Sequence, residues 1–237
     1  MTYCVAIKLQ DGLVLTSDSR TNAGVDHIAS FRKLHKFEMP GERIIYLQSA
    51  GNLATTQSVL AKLEQDIKGS DRHILNANTL FDVAELVGRT IRQVIERDEG
   101  QNQGIDFGCN MLLSGQIKGD ETRLFHVYPQ GNFIEASEDT PYFQIGESKY
   151  GKPILDRIIE FDTPIKQALQ CALISMDSTL RSNLSVGMPL DAITYINDSL
   201  ESSNIQRITE DHEGFSHLRV AWSAGIKDLF DGLDMYL

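Results

Sequence analysis

Apolar positions recur along this chain with two different periods, and the change of period divides it into blocks. TYCVAIKL and GLVLTSD are β-rich runs joined through Asp11-Gly12, a dipeptide suited to a hairpin because glycine tolerates positive φ. KLHKFE and RIIYLQSA, separated by Met39-Pro40-Gly41-Glu42, extend the antiparallel pattern to four strands. From Gly51 the period lengthens: Leu53, Val59, Leu60, Leu63 and Ile67 fall near helical spacing, with Gly69 as a stop. A second helix begins near Thr79 and carries Leu80, Val83, Leu86, Val87, Ile91, Val94 and Ile95 on one stripe. DEGQNQGIDFG has no periodicity and reads as a loop. Strands return in NMLLSGQI, TRLFHVY, NFIEA and YFQIG, followed by helices over about Tyr150 to Ile159 and Thr163 to Leu180 and a strand at AITYIN. In the tail, IQRITE has strand character and HLRVAWSAGIKDLF helical character. Strands, two helices, strands, two helices is an α+β order, best accommodated by two packed sheets with helices on their outer faces. No repeat or linker divides the 237 residues, so a single domain over 1–237 is expected.

Composition narrows the function classes. Hydrophobic residues make up 41% and charged residues 23%, ordinary for a globular protein, and no apolar run has the length needed to cross a bilayer. The N-terminus lacks a signal peptide's basic start and apolar core, which predicts a cytoplasmic protein. With 22 Lys+Arg against 33 Asp+Glu, the formal net charge of -11 argues against nucleic-acid and acidic-membrane partners. Cys4, Cys109 and Cys171 are widely spaced and odd in number, matching neither a disulfide framework nor a zinc pattern, and read as buried thiols. His212 and His217 match no standard metal spacing, no phosphate-binding G-x-x-x-x-G-K-S/T loop is present, and no cofactor or metal is expected.

The residue with most chemical potential is Thr2. Removal of Met1 frees an α-amine tied covalently to the hydroxyl it must activate, and its reference pKa of about 7.7–8.0 lies close to working pH. A small residue behind a start methionine is also commonplace, so Thr2 alone decides nothing. Its surroundings add to it: TYCVAIKLQDGLVLTSDSRTNAG, then FRKLHKF, then IIYLQSAGNLATTQ. These stretches resemble the N-terminal part of proteasome-type peptidases, and among them the bacterial branch named for an ancestral beta subunit (Anbu). Thr2, Asp11-Gly12, Asp18, Arg20, Lys33 and Ala50-Gly51 stand where that family has its N-terminal threonine, D-G hairpin, acid, arginine, lysine and helix-opening dipeptide. The resemblance is clear over residues 2 to about 57 and follows the order of elements to about 197.

The resemblance implies a four-layer αββα sandwich of the N-terminal nucleophile hydrolase type. It implies that Thr2 attacks an amide carbonyl, that Lys33 supplies positive charge beside the hydroxyl, and that Asp18 holds Lys33 charged and aimed. Gly51 is implied as an oxyanion donor, although close packing of helix on strand accounts for a glycine there as well. Where the family has a G-S-G turn and a D-x-x-S-G pattern, whose polar groups brace the terminal amine, this chain has Gly146-Glu147-Ser148, a poorer fit, and a stretch in which Ser185 falls on the family's serine but Ser182 stands where the acid is expected; Asp177, one helical turn earlier, is a possible substitute. Hairpin periodicity does not by itself bring the acid to Thr2: a two-residue Asp11-Gly12 turn pairs Gln10 with Leu13 and sets Asp18 opposite Val5, on the other face from Thr2.

Three functions follow as expectations. The first is a threonine-type peptide hydrolase, assembled from copies of itself into a ring or spiral and acting on peptides or unfolded protein, its need for an ATP-dependent unfoldase undecided. The second is a hydrolase of small amides on the same fold. The third is a silent scaffold subunit, against which the joint presence of Thr2, Asp18 and Lys33 argues.

Overall fold

The computed structural model describes residues 2–22, 28–99, 104–201 and 204–234. Strands β1 (Tyr3–Leu9) and β2 (Gly12–Asp18) form the expected hairpin in a different register. Leu9 pairs with Gly12 and Cys4 with Ser17, so the turn is Gln10-Asp11 rather than Asp11-Gly12. The reason lies on the neighbouring strand: a Cβ at Gly12 would stand 1.9 Å from the Tyr195 carbonyl oxygen. Gly12 is spent on this close strand approach and belongs to β2. Asp18 therefore comes level with Tyr3 instead of Val5, a slip of two residues that leaves it on the same face.

Two three-residue strands, β3 (Arg20–Asn22) and β4 (Ile28–Ser30), form a small ribbon of their own that the hydropathy pattern does not show. The chain continues through β5 (Leu34–Met39), β6 (Arg43–Gly51), α1 (Leu53–Gly69) and α2 (Leu80–Glu99). Asn52 caps α1 by accepting the Thr55 N–H at 3.2 Å, and Thr79 and Asp82 cap α2 reciprocally, each an arrangement worth about 1 kcal/mol. Part of the loop expected over DEGQNQGIDFG lies outside the described residues. Strands β7 (Cys109–Ile117), β8 (Arg123–Val127), β9 (Phe133–Glu135) and β10 (Tyr142–Gly146) follow, then α3 (Lys152–Ile158), α4 (Ile165–Ser182), β11 (Leu190–Ile196), β12 (Gln206–Ile208) and α5 (Glu213–Asp231).

The strands form two five-stranded antiparallel sheets, β10-β1-β2-β11-β12 and β5-β6-β7-β8-β9. Alternation along β1 shows how they stack. Cys4 and Ala6 join Leu13, Leu15, Ile44, Tyr46 and Leu112 in a core between the sheets. Val5 and Ile7 face the other way, into a core with Ala168, Ala172 and Met176 of α4. On the far side, Ile45, Leu47 and Leu113 pack against Val59, Leu63, Val83 and Val87 of α1 and α2. The result is an α+β fold of four layers, helices–sheet–sheet–helices, in which each fully buried Leu, Ile or Val contributes about 1.5–3 kcal/mol over leaving it exposed. All three cysteines are free and buried, and burial pushes the Cys109 and Cys171 thiols up to about 12. None of the described helices is long and apolar enough to cross a membrane.

Helix α5 begins against the body and ends away from it. His212 caps it, its Nδ1 accepting the Phe215 N–H at 3.1 Å, and Phe215 is buried. From Ser223 to Asp234 every residue is exposed, including Ile226, Leu229, Phe230 and Leu233, which lie on one stripe of the helix and its exit.

Candidate active site

The first residue of the central hairpin and the last lie side by side. At the end of β2, Asp18 is fully buried, and its Oδ1 accepts the Tyr3 N–H at 3.0 Å while its Oδ2 accepts the Gly187 N–H at 3.2 Å. The ammonium of Lys33, 5% exposed, donates to Asp18 Oδ1 at 2.7 Å and to the Arg20 carbonyl at 2.6 Å. Burial pushes the Asp18 carboxyl above the ordinary carboxylate value, and the charge of Lys33 with the hydrogen bonds from Lys33, Tyr3 and Gly187 pulls it back. Strict alternation does keep Asp18 off the Thr2 face. The acid instead acts at the strand end, where it grips Lys33 and the main chain one residue beyond Thr2.

Thr2, 8% exposed, and Lys33 line one cavity of about 470 Å³. Its wall runs from the start of β1 across the end of β6, with Ser49, Ala50 and Gly51, to the first turns of α1. Gly51 has φ +118, and a Cβ there would come within 2.4 Å of the Gly108 carbonyl oxygen. Strand-to-strand approach therefore accounts for this glycine, and its main chain borders the cavity as well. No described carboxylate lines the space, whereas Arg32, Lys33 and His35 do. Burial holds the His35 imidazole below its ordinary value. Its Nε2 is buried with no hydrogen-bond partner among the described residues.

Main-chain bonds fix Thr2 from the opposite side. Its carbonyl accepts the Glu147 N–H at 2.7 Å, continuing the pairing of β1 with β10. Tyr3 anchors the next residue: its fully buried hydroxyl pairs with Ser175 Oγ at 2.6 Å on α4 and accepts from Gln144 Nε2 at 2.5 Å on β10. Sequence reasoning passes over Tyr3 because an aromatic in a strand reads as packing. A buried tyrosine needs a polar partner, which was the available signal.

Of the supporting residues, the serines do not line the cavity beside Thr2. Ser148 borders a separate groove with Tyr142 and Lys152, and its carbonyl accepts from Gln144. Ser182 ends α4 exposed, and Ser185 is half-buried with its N–H bonded to Asn183 Oδ1 at 2.9 Å. From that loop the contribution to the site is the Gly187 N–H, a main-chain group with no side-chain signature. Asp177 is no substitute acid: it is buried in ion pairs with Arg181 at 2.9 Å and Arg219 at 2.5 Å, which tie α5 to α4. Among the described residues, no group of three or more His, Cys, Asp or Glu is placed to hold a metal ion.

Comparison with known proteins bears on the family and the fold. The family model described as proteasome subunit matches residues 2–190. The solved structure of Anbu (ancestral beta-subunit) from Yersinia bercovieri is 57% identical, with a TM-score of 0.95 over 99% of this chain and 98% of that one. The Anbu complex from Pseudomonas aeruginosa, described as a helical assembly, is 53% identical, with a TM-score of 0.96 over the same shares. The proteasome subunit beta of Haloquadratum walsbyi is 23% identical over 219 residues, 92% of this chain and 79% of its own length. Fold, order of elements and sequence agree: the chain belongs to the proteasome subunit family, on the branch of the ancestral beta subunits.

Proposed function

We propose that this protein is a threonine-type amide hydrolase acting on peptides, with Thr2 as nucleophile once Met1 has been removed. The observation that carries the reading is the buried Lys33 ammonium, held by Asp18 at 2.7 Å, in the wall of the same cavity as Thr2. In the proposed reaction Thr2 Oγ attacks the carbonyl carbon while the freed α-amine takes the hydroxyl proton and passes it to the leaving amine. Water then hydrolyses the acyl ester and returns the proton to Thr2. Lys33 stabilises the developing negative charge, and Asp18 with the Arg20 carbonyl holds Lys33 in place. Gly51, at the border of the cavity, is the main-chain candidate for the oxyanion.

The protein is proposed to work as an assembly of its own copies. The apolar stripe at the free end of α5 supports self-association, and so does the helical assembly formed by the Pseudomonas aeruginosa relative. The test of the chemistry is intact-mass and N-terminal analysis before and after treatment with a β-lactone. Ring opening by Thr2 adds the whole mass of the reagent. The expected result is a chain starting at Thr2, labelled there, with no label after Thr2→Ala or Lys33→Ala. Retention of Met1 on protein isolated from cells, or label on another residue, would overturn the proposal.

A further inference from the structure

A second buried acid and base lie beside Asp18 and Lys33. Asp191, on β11, is fully buried, and both of its carboxylate oxygens accept from Arg207 Nη1, at 2.9 and 3.0 Å. Arg207 Nη2 also donates to Ser19 Oγ at 3.4 Å, and that hydroxyl donates to the Pro189 carbonyl at 2.6 Å. Ser19 stands in the chain between the two groups that hold the Lys33 ammonium, the Asp18 carboxylate and the Arg20 carbonyl. The guanidinium therefore borders the Lys33 site, although it comes from β12, past residue 190 where the family match ends.

Strand register shows which way Asp191 faces. It pairs with Ser17, which in turn pairs with Cys4 on the next strand. Directly paired residues share a face of the sheet, and Cys4 lies in the core between the sheets. Asp191 therefore faces the same side as Cys4 and as Thr2, two residues earlier. The Cys4 thiol senses the whole group: burial raises its pKa, the charge of Lys33 lowers it, and the carboxylates of Asp18 and Asp191 raise it. Among the described residues, Arg207 is the single ion-pair partner of Asp191, and its side chain is 30% exposed. Without it, two buried carboxylates face one buried ammonium.

We propose that Arg207 is a positioning residue for the reaction at Thr2: it cancels the charge of Asp191, which then neither draws Lys33 away nor opposes the negative charge that develops on the substrate. The inference rests on the hydrolase reading above and adds to it a residue of the C-terminal segment. Two strand spacings of about 4.8 Å each separate Asp191 from the strand of Cys4, and Thr2 continues that strand. Across about 10 Å of a largely buried site, one bare charge changes the rate of a step that develops negative charge by about tenfold.

The experiment follows labelling of Thr2 by a β-lactone, read by intact mass at neutral pH, in the full chain after Met1 removal. The wild type is compared with Arg207→Met, Asp191→Asn and the double variant. A series of reagent concentrations separates the maximal rate constant from the half-saturating concentration, and the plateau gives the fraction of competent protein. Arg207→Met is expected to lower the maximal rate constant about tenfold, with full final labelling and an unchanged half-saturating concentration. Asp191→Asn leaves the cation uncancelled and should raise the constant about threefold, a smaller effect because Arg207 is partly exposed and screened. The double variant carries neither charge and should stay within about twofold of the wild type. A purely structural role lowers the plateau and leaves the rate constant alone, and that result in Arg207→Met overturns the inference. An unchanged or lowered constant in Asp191→Asn does the same, and it is read even if Arg207→Met does not fold. Absence of label on Thr2 in the wild type overturns the hydrolase reading itself, and this inference with it.

Discussion

Replacing Lys33 by methionine is the most direct test of the buried pair, because it keeps the length of the stem and deletes the charge. Asp18 is fully buried and keeps only the Tyr3 and Gly187 N–H groups, at 3.0 and 3.2 Å, after losing the ammonium at 2.7 Å. Removing one partner of such a pair costs about 3–5 kcal/mol, since the remaining charge has no counter-ion and little water. The lost bond to the Arg20 carbonyl adds about 1 kcal/mol. That is a large share of the roughly 5–15 kcal/mol by which a protein of this kind is stable. The loss has a pH signature. The folded-state pKa of Asp18 is raised by burial, and without Lys33 it rises further. A carboxyl raised on folding gives its stability fully below the unfolded value, and that stability is lost as pH rises through the folded value. The deficit of Lys33→Met therefore shrinks on acidification, by about 1.4 kcal/mol for each unit of pH within that window. Adding Asp18→Asn removes the orphaned charge and should restore at least about 2 kcal/mol. Urea unfolding of the wild type, the single variant and the double variant at two pH values measures all of this. A Lys33→Met deficit below about 1 kcal/mol, flat in pH and not relieved by Asp18→Asn, would refute the reasoning.

Three further outcomes follow from other parts of the structure. Because burial raises Asp18, its carboxyl should titrate above the ordinary carboxylate value of 3.8 when followed by carbon NMR in the folded protein; a midpoint at or below that value contradicts it. Gly12→Ala sets a methyl group 1.9 Å from the Tyr195 carbonyl oxygen and should cost at least about 2 kcal/mol, seen as a lowered melting temperature. Gly41→Ala, where nothing lies within 4 Å, should cost only about 1 kcal/mol for its φ of +75, and equal losses at the two sites would argue against the close-approach account of Gly12. Burial lowers the pKa of His126 below 6.5, so its neutral form contributes stability above the unfolded value that is lost as pH falls towards the folded one; a His126→Phe protein should show a flatter decline of its urea midpoint between neutral pH and about pH 5, and an identical decline would discount the residue.

The long periodic segments were legible because burial is one-sided in them. The stripe from Leu80 to Ile95 is the face of α2 that packs on the second sheet, and the alternation in β1 and β2 sorts side chains between two cores. What could not be read depends on groups that leave no pattern. The hairpin register was decided by the approach of β11 to Gly12, a contact across more than 180 residues. β3 and β4 are three residues long, too short for any period to appear. Thr2, Asp18 and Lys33 were found through a family likeness, and alternation alone spoke against joining the first two. It was right about the faces: Asp18 touches not Thr2 but Lys33 and the Tyr3 N–H, from the end of its strand. Asp177, with a helical position that suggested a replacement acid, is instead consumed by two arginines, one of them from α5.

The placement of β1 between β2 and β10 also bears on how the molecule is made. One neighbour follows within a few residues, but the other ends at Gly146, and Asp18 meets Gly187 and lies level with Leu190. A nascent chain on the ribosome therefore cannot complete the contacts that hold Asp18 until roughly four-fifths of it has been translated and folded back. Incomplete products lack the contacts of Asp18 with Gly187 and β11 for a reason of topology alone.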